Sequence, residues 1–314
     1  MKRICVIIPC YNEQENLLYV NQKLQKIFKA SLCIKYSFRI LFVNDGSTDE
    51  TLEEIKKLCE KNSNIDFISF SRNFGHQQAI KAGIDHVYAD AVITMDADLQ
   101  HPPEFIPEFI KFWEKGYDVI NSRNSYIKNQ SLFKKITSKS FYTLINLLSH
   151  VKIESGTADF RLIDKKVLEQ LRKLNEQNLF LRGIIPWLGF KQFTIEYSPE
   201  ERKFGQTKYT LKKMFSLALA GITSFSIKPL RISIIFGLIL SFLAIVYMIY
   251  ALYIGLFTEK AIEGWTSVIV SVLFIGGLQL LMLGIIGEYL GKLFLENKKR
   301  PNYIIDQMKM ADEK

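Results

Sequence analysis

The sequence predicts an α/β protein in which a mainly parallel sheet is followed by amphipathic helices and a two-helix transmembrane hairpin. Short apolar segments alternate with segments of helical spacing over residues 4–122, and this alternation is typical of βαβ units. Two long apolar runs follow between residues 232 and 290. Runs of this length can cross a bilayer as helices.

Apolar spacing and helix start signals define the elements of the first part. The predicted strands cover residues 4–9, 40–43, 67–70, 91–95 and 119–121, and the predicted helices 15–30, 47–61, 75–87 and 102–115. The second helix opens on a capping box between Ser47 and Glu50, and the fourth has Pro102 in its first turn, where proline is tolerated. Residues 4–9 are predicted as a strand rather than a secretory signal, because the run is too short.

The two apolar runs predict membrane-spanning helices. Residues 232–257 carry no charged side chain and would form a helix about 39 Å long, against a hydrocarbon core of ~30 Å. In the second run, residues 268–290, only Gln279 is strongly polar before residue 288. Lysines and arginines flank the outer ends, so the positive-inside rule predicts a multi-pass inner-membrane protein with cytoplasmic termini. The alternative is a buried helical hairpin of a soluble protein.

The chain divides into four predicted parts. Residues 1–208 form a cytoplasmic domain, 209–231 a juxtamembrane amphipathic helix and linker, 232–291 the two spans, and 292–314 a cytoplasmic tail. Basic amphipathic patterns over residues 132–151 and 209–225 predict helices that lie in the membrane interface. Ordinary packing within the domain is the alternative for both.

Charge, cysteines and missing motifs argue against several classes of protein. The 41 lysines and arginines exceed the 32 aspartates and glutamates, which gives a net charge of +9. Beside two membrane spans, anionic lipid headgroups are the expected partner rather than nucleic acid. The four cysteines form no C-x-x-C pair, so no zinc or redox site is indicated. The sequence has neither a G-x-G-x-x-G after the first strand nor a P-loop, which argues against nucleotide enzymes of those two types.

Polar side chains follow four predicted strands where each ends, in residues 9–13, 44–47, 71–75 and 96–100. Because the carboxyl ends of parallel strands meet at one sheet edge, we expect a binding site there. Asp96 and Asp98 are the sharpest signal, since two neighbouring carboxylates repel each other and attract a hard cation. Mg²⁺ takes one or two carboxylates together with phosphate oxygens, so the pair predicts a metal–phosphate site. A solvated loop is the alternative.

Motifs along nearly the whole chain resemble those of family-2 glycosyltransferases. The first set is VIIPCYNE (6–13), VNDGS (43–47) and MDADLQ (95–100). Further motifs resemble the polyprenyl-phosphate glycosyltransferases, relatives of dolichol-phosphate mannose synthase and of bactoprenol glucosyltransferases. These are SRNFGH (71–76), ADFRL (158–162), RKFGQTKY (202–209), GEYLG (287–291) and KRP (299–301). The resemblance implies a GT-A-type domain, a nucleotide-sugar donor, a divalent metal and a lipid phosphate acceptor.

The same resemblance implies roles for individual residues. Contacts with the nucleotide sugar are implied for Pro9, Tyr11, Glu13, Asp45, Asp96, Ala97, Asp98, Arg202 and Lys208. Mg²⁺ or Mn²⁺ is implied at Asp96, Asp98 and Gln100. Asp159 occupies the place of the family's proposed catalytic carboxylate, Asp98 is the second catalytic candidate, and Arg123 is implied to contact phosphate.

Residue chemistry supports part of this assignment. Guanidinium and ammonium groups suit phosphate oxygens. Lys134 and Ser138 lie four apart on one predicted helix face and join Arg123 as candidates for the acceptor phosphate, although Lys134 facing lipid headgroups is an alternative. Asp159 need not be a strong base, because a phosphate monoester with a second pKa near ~6 is mostly ionised at neutral pH. It can instead orient the acceptor or stabilise positive charge on the sugar, or be held structurally by Arg161.

The predicted reaction is the transfer of one sugar from a UDP-sugar to undecaprenyl phosphate at the cytoplasmic membrane face, by a single displacement with inversion. Glucose and N-acetylglucosamine are the expected sugars, for cell-envelope glycans, and galactose or a modified pentose is the alternative. The alternatives are a processive polysaccharide synthase, against which the lack of a Q-x-x-R-W motif argues, and a non-catalytic scaffold that binds nucleotide sugars. Candidate partners are a second copy of the chain, a flippase and a downstream glycosyltransferase.

Overall fold

The computed structural model describes residues 1–29, 35–124, 157–177, 179–197, 226–257 and 264–311. The strands in these ranges are β1 (Lys2–Cys10), β2 (Tyr36–Asn44), β3 (Ile65–Phe70), β4 (Ala91–Thr94), β5 (Val119–Asn124), β6 (Thr157–Asp164), β7 (Gln192–Tyr197) and β8 (Ile305–Lys309). The helices are α1 (Leu17–Phe28), α2 (Thr51–Lys61), α3 (His76–His86), α4 (Ile106–Glu114), α5 (Lys165–Arg172), α6 (Leu181–Trp187), α7 (Lys228–Phe257) and α8 (Trp265–Asn297).

One eight-stranded sheet forms the domain, in the order β7-β5-β6-β4-β1-β2-β3-β8. The pairs β1–β2, β1–β4, β2–β3 and β5–β7 are parallel, whereas β6 is antiparallel to β4 and β5, and β8 to β3. The prediction of a mainly parallel α/β sheet is confirmed. The five predicted strands are all present, and β6, β7 and β8 were not predicted.

Two apolar layers cover the faces of the sheet and fix the strand ends. Along β1, Ile4, Val6 and Ile8 pack in one layer, while Cys5 and Ile7 pack in the other. Strands buried on both faces have such near-continuous apolar sequences. The packed layers therefore hold in place the strand ends to which the polar residues after β1, β2, β3 and β4 are attached.

The chain returns to the sheet after α8 through residues 298–311, which we call the C-terminal strap. Its strand β8 pairs with β3, and the Ser71 N–H donates to the Ile304 carbonyl at 3.1 Å. The Tyr303 ring stacks on Phe70 with a centroid distance of 5.2 Å, and its hydroxyl donates to Asp85 at 3.0 Å. The predicted division assigns residues 292–314 to a cytoplasmic tail, and within that segment Ile305–Lys309 forms an edge strand of the sheet.

The helices α7 and α8 are long and apolar enough to cross a membrane. Their 30 and 33 residues correspond to about 45 and 50 Å, and both extend beyond the predicted spans. Most of their described apolar side chains are exposed, for example Leu238 at 66% and Leu280 at 72%. A hairpin buried in a soluble core does not fit this exposure. The predicted amphipathic helices at 132–151 and 209–225 lie outside the described residues.

Candidate active site

The chain turns sharply after β4 and presents alternate side chains at the sheet edge. Asp96, Asp98 and Gln100 are half-buried, whereas Ala97 and Leu99 are buried. Leu99 has a φ of +61°, a left-handed conformation that is uncommon for a residue other than glycine. The Asp98 carboxylate accepts the Gln100 N–H at 3.1 Å. Asp96 and Asp98 therefore do not lie in the packed interior, and their facing one opening stays a prediction.

Two histidines contact Asp96. The His76 Nε2 lies 2.8 Å from Asp96 Oδ1, and the Asp96 N–H donates to the His101 Nδ1 at 3.0 Å. Burial disfavours both charged forms, but the neighbouring imidazoles outweigh it and lower the pKa of Asp96 to about 2. The carboxylates of Asp96 and Asp159 likewise outweigh burial and raise the pKa of His76 to about 9. At neutral pH the Asp96–His76 contact is therefore an ion pair.

Asp159 is 4% exposed and is surrounded by hydrogen-bond donors. Arg182 reaches it through Nη2 at 2.9 Å and Nε at 3.2 Å, and Arg161 Nη2 lies at 2.9 Å. Gln77 Nε2 donates to it at 3.2 Å. Burial opposes ionisation, but Arg182 and Arg161 hold the pKa of Asp159 well below its usual range. This carboxylate therefore accepts a proton poorly and stays negatively charged at neutral pH.

The first two residues of α3 link these groups. His76 contacts Asp96 and Gln77 contacts Asp159, so Asp96 and Asp159 belong to one network although they are 63 positions apart. The Gln77 Oε1 also accepts the Leu181 N–H at 3.3 Å, which anchors the start of α6 next to Arg182. Neither Gln77 nor Arg182 was predicted as a site residue. An arginine inside the apolar run 179–185 was the available signal.

The loops after β1 and β2 are tied to each other. The Asn12 N–H donates to Ser47 Oγ at 3.0 Å, and the Thr48 N–H donates to Asn12 Oδ1 at 2.9 Å. Glu13 is held by the Asn16 amide at 2.7 Å. The predicted nucleoside contacts Pro9, Tyr11 and Glu13 all lie at this end of β1, with Tyr11 37% exposed.

Asp45 lies at the end of β2 and is 3% exposed. Its carboxylate accepts the Phe74 N–H at 2.7 Å and the Gly75 N–H at 3.0 Å. Burial raises the pKa of Asp45, and the two N–H groups oppose that rise. Asp45 thus fixes the loop that leads into α3 and His76. Its predicted contact with the nucleoside stays a prediction.

Of the residues predicted to contact phosphate, one lies within the described part of the chain. Arg123 lies near the end of β5, with its Nε 3.9 Å from Glu196, and pairs in register with Thr157 of β6. The remaining candidates lie outside the described residues: Lys134, Ser138, Arg202 and Lys208.

The donor set after β4 fits a hard divalent cation. Across the described ranges, no group of three His, Cys, Asp or Glu residues is placed to hold a metal ion. Mg²⁺ needs only one or two protein carboxylates when substrate phosphates supply further oxygens. Asp96 and Asp98 supply carboxylates and Gln100 supplies an amide oxygen, and all three side chains are partly accessible.

Comparison with known proteins gives one family match in the sheet domain and one in the two long helices. Residues 5–172 match the glycosyl transferase family 2. Residues 228–293, which contain most of α7 and α8, match the GtrB C-terminal hairpin.

Several relatives are similar to this chain over almost its whole length. The "Uncharacterized glycosyltransferase YkcC" of Bacillus subtilis (strain 168) is 42% identical, over 96% of this chain and 93% of its own. The "Prophage bactoprenol glucosyl transferase homolog" of Escherichia coli (strain K12) and the "Bactoprenol glucosyl transferase" of Shigella phage SfV are each 38% identical, over 98% of this chain and 99% of their own. The chain therefore belongs to glycosyl transferase family 2 and is a glycosyltransferase with a GT-A-type domain.

Proposed function

We propose that this enzyme transfers one sugar from a nucleotide sugar to a polyprenyl phosphate such as undecaprenyl phosphate, at the cytoplasmic face of the membrane. UDP-glucose or UDP-N-acetylglucosamine is the proposed donor. The proposal is supported by relatives that are named bactoprenol glucosyl transferases and align over the hairpin as well as the domain.

The observation that carries the proposal is the combination of one carboxylate network with two exposed apolar helices on the same chain. A nucleotide sugar is water-soluble, whereas a polyprenyl tail partitions into the bilayer. An enzyme that holds both at the interface converts an encounter between two phases into a positioned reaction.

Donor binding is assigned to the edge formed by β1, β2 and β4. Pro9, Tyr11, Glu13 and Asp45 would contact the nucleoside, and Arg202 and Lys208 the phosphates. Asp96 and Asp98, with Ala97 between them, would lie against the diphosphate and, with Gln100, hold Mg²⁺ or Mn²⁺. When bound, such a cation supplies positive charge that offsets the charge developing on the departing diphosphate.

In the proposed step, an oxygen of the acceptor phosphate attacks the anomeric carbon while the bond from that carbon to the diphosphate breaks, with inversion. The attacking oxygen is already ionised near neutral pH, since the second phosphate pKa is about 6. Asp159 is held by Arg182 and Arg161, so we assign it to orientation and to stabilisation of positive charge on the sugar. Arg123, Lys134 and Ser138 would hold the acceptor phosphate.

Membranes that contain the full chain, incubated with labelled UDP-glucose or UDP-N-acetylglucosamine and undecaprenyl phosphate, test the proposal. We expect label in the lipid extract, and only when undecaprenyl phosphate is present. Label in polymer would instead support a processive synthase. Label in neither fraction, with either donor, would contradict the proposal and favour a scaffold.

A further inference from the structure

A polar cavity of about 320 Å³ lies between α6 and one face of the strands β5, β6 and β7. Its size is at the lower end of the range for small-molecule sites. The polar side chains in its wall are Asn121, Thr157, Arg161, Arg182, Gln192 and Thr194. None of the roles assigned above uses this cavity.

The cavity adjoins both ends of the proposed reaction path. Arg161 and Arg182 line it and also bind Asp159, whose network extends to Asp96. On the other side, Asn121 lies two residues before Arg123 on β5, and Thr157 pairs with Arg123. The cavity therefore lies between the carboxylate network and the strand end assigned to the acceptor phosphate.

One buried polar atom in this wall lacks a partner. Asn121 is 6% exposed, and its Nδ2 donates to Gln192 Oε1 at 3.0 Å. Its Oδ1 is buried and has no hydrogen-bond partner in the described part of the chain. A buried acceptor without a donor costs free energy, so a ligand that brings a donor to this atom gains affinity.

The chemistry of the wall selects the ligand class. The guanidinium groups offer donors only, the threonine hydroxyls offer both functions, and Asn121 Oδ1 needs a donor. An ionised phosphate has no proton to give to Asn121 Oδ1, whereas each hydroxyl of a sugar both donates and accepts. Resting on the proposed function, we propose that this cavity receives the ring of the transferred sugar and that Asn121 binds one of its hydroxyl groups.

Calorimetry on the full-length protein in nanodiscs with Mg²⁺ tests this assignment. The probes are UDP-glucose, UDP-N-acetylglucosamine and UDP alone. We expect Asn121→Leu to weaken binding of the preferred nucleotide sugar about ten-fold, as the loss of one buried hydrogen bond does, and to leave UDP binding unchanged. Asn121→Asp, which keeps an acceptor, should retain more affinity than Asn121→Leu.

Asn302→Leu is the matched control, because Asn302 Oδ1 is also buried without a partner but lies in the C-terminal strap. This variant should change neither the affinity for UDP nor the affinity for the nucleotide sugar. Thr194→Val tests the neighbouring strand of the same wall with a side chain of the same shape, in case Asn121→Leu does not fold, because Thr194 pairs in register with Asn121. This variant should also weaken binding of the nucleotide sugar and leave UDP binding unchanged.

Equal weakening of UDP and the UDP-sugar, or no change for either, in the folded cavity variants would overturn the cavity assignment and leave the proposed function standing. Wild-type protein that binds neither UDP-sugar would contradict the proposed function itself, and with it the assignment.

Discussion

Asp159 faces two guanidinium groups, and this charge balance decides which chemistry is open to it. The sequence left three roles for this residue: a base, an orienting group or a structural anion. Contacts with Arg182 and Arg161 hold its pKa well below the usual range, and a carboxylate of low basicity accepts protons poorly. The orienting role is therefore the one we propose.

The pH profile of transfer separates a base from an orienting anion. A lowered pKa means that the ion pairs of Asp159 stabilise the fold above an unfolded carboxyl pKa of about 3.9 and lose that effect as the pH falls. Between pH 5 and about 9 the residue does not titrate. We expect an acidic limb near pH ~6 from the acceptor phosphate, and Asp159→Asn should lower the rate without moving that limb. A limb that disappears in the folded Asp159→Asn variant would contradict this view.

The prediction about the metal ion concerns Asp98, which we propose as one of its ligands. Removing its carboxylate takes away one of two anionic ligands, so Asp98→Ala should lower transfer at least about 100-fold. Mn²⁺ binding, followed by electron paramagnetic resonance, should weaken in parallel. Asp306→Ala is the control, since Asp306 is an exposed carboxylate on β8. Normal Mn²⁺ affinity and normal rate in Asp98→Ala would remove this residue from the site.

At the scale of the elements, the sequence predicted the strands that are apolar throughout and missed those defined by their partners. Residues 4–9 and 40–43 are apolar runs, and they form the core of β1 and β2. In contrast, β6 carries Asp159 and Arg161, and β8 is a polar edge strand that depends on β3 for its hydrogen bonds. The local sequence pattern of a strand does not show which distant strand it pairs with.

The sequence likewise predicted some residues of the candidate site and missed others. The motif after β4 indicated Asp96 and Asp98, because only Ala97 separates them in the chain. The contacts of Gln77 and Arg182 with Asp159 join α3, β6 and α6, and no spacing in the sequence encodes that meeting point. The sequence therefore predicted the carboxylates after β4 and Asp159, but not the groups that surround Asp159.

The turn after β2 requires a glycine. Gly46 has a φ of +63°, and a Cβ there would lie 2.2 Å from the Arg72 carbonyl carbon. Gly46→Ala should destabilise the domain by about 2–4 kcal/mol, since it adds a backbone clash to the conformational cost. Gly116→Ala is the control, because Gly116 also has a positive φ but open space around it; it should cost about 1–2 kcal/mol. Equal unfolding midpoints for the two variants would contradict the close packing at Gly46.

Tyr303 anchors the C-terminal strap to α3 and β3. Tyr303→Ala removes both the stacking on Phe70 and the hydrogen bond to Asp85, so we expect faster amide hydrogen exchange in β8. Tyr303→Phe keeps the ring and loses one hydrogen bond, worth about 0.5–1.5 kcal/mol, and should show a smaller effect. Unchanged exchange of the β8 amides in Tyr303→Ala would show that the strap does not depend on this residue.

At the scale of the whole molecule, contacts near the outer ends of α7 and α8 show which end of the helix pair lies beside the domain. The Gln177 N–H donates to Glu296 near the end of α8 at 2.8 Å, and Tyr289 donates to the Ser226 carbonyl just before α7. The outer ends of both helices therefore lie on the side of the catalytic domain. Lys228, Lys298 and neighbouring basic residues share that side, which the positive-inside rule assigns to the cytoplasm.

Cysteine labelling in spheroplasts tests this topology. An impermeant maleimide should label Gly264→Cys, at the start of α8 away from the domain, and should label Lys298→Cys only after the membrane is permeabilised. Wild-type protein is the background, since the described native cysteines Cys5, Cys10 and Cys59 are buried. Labelling of Lys298→Cys in intact spheroplasts would place the domain on the opposite side.

The identity of the released nucleotide distinguishes attack at the anomeric carbon from attack at phosphorus. Purified full-length enzyme in vesicles would receive undecaprenyl phosphate and the UDP-sugar that it binds best, and both products would be measured by mass spectrometry. Attack at the anomeric carbon predicts one UDP released for each undecaprenyl monophosphate that gains one sugar. Release of UMP together with a diphosphate-linked lipid would show attack at phosphorus, and would contradict the proposed transfer to undecaprenyl phosphate.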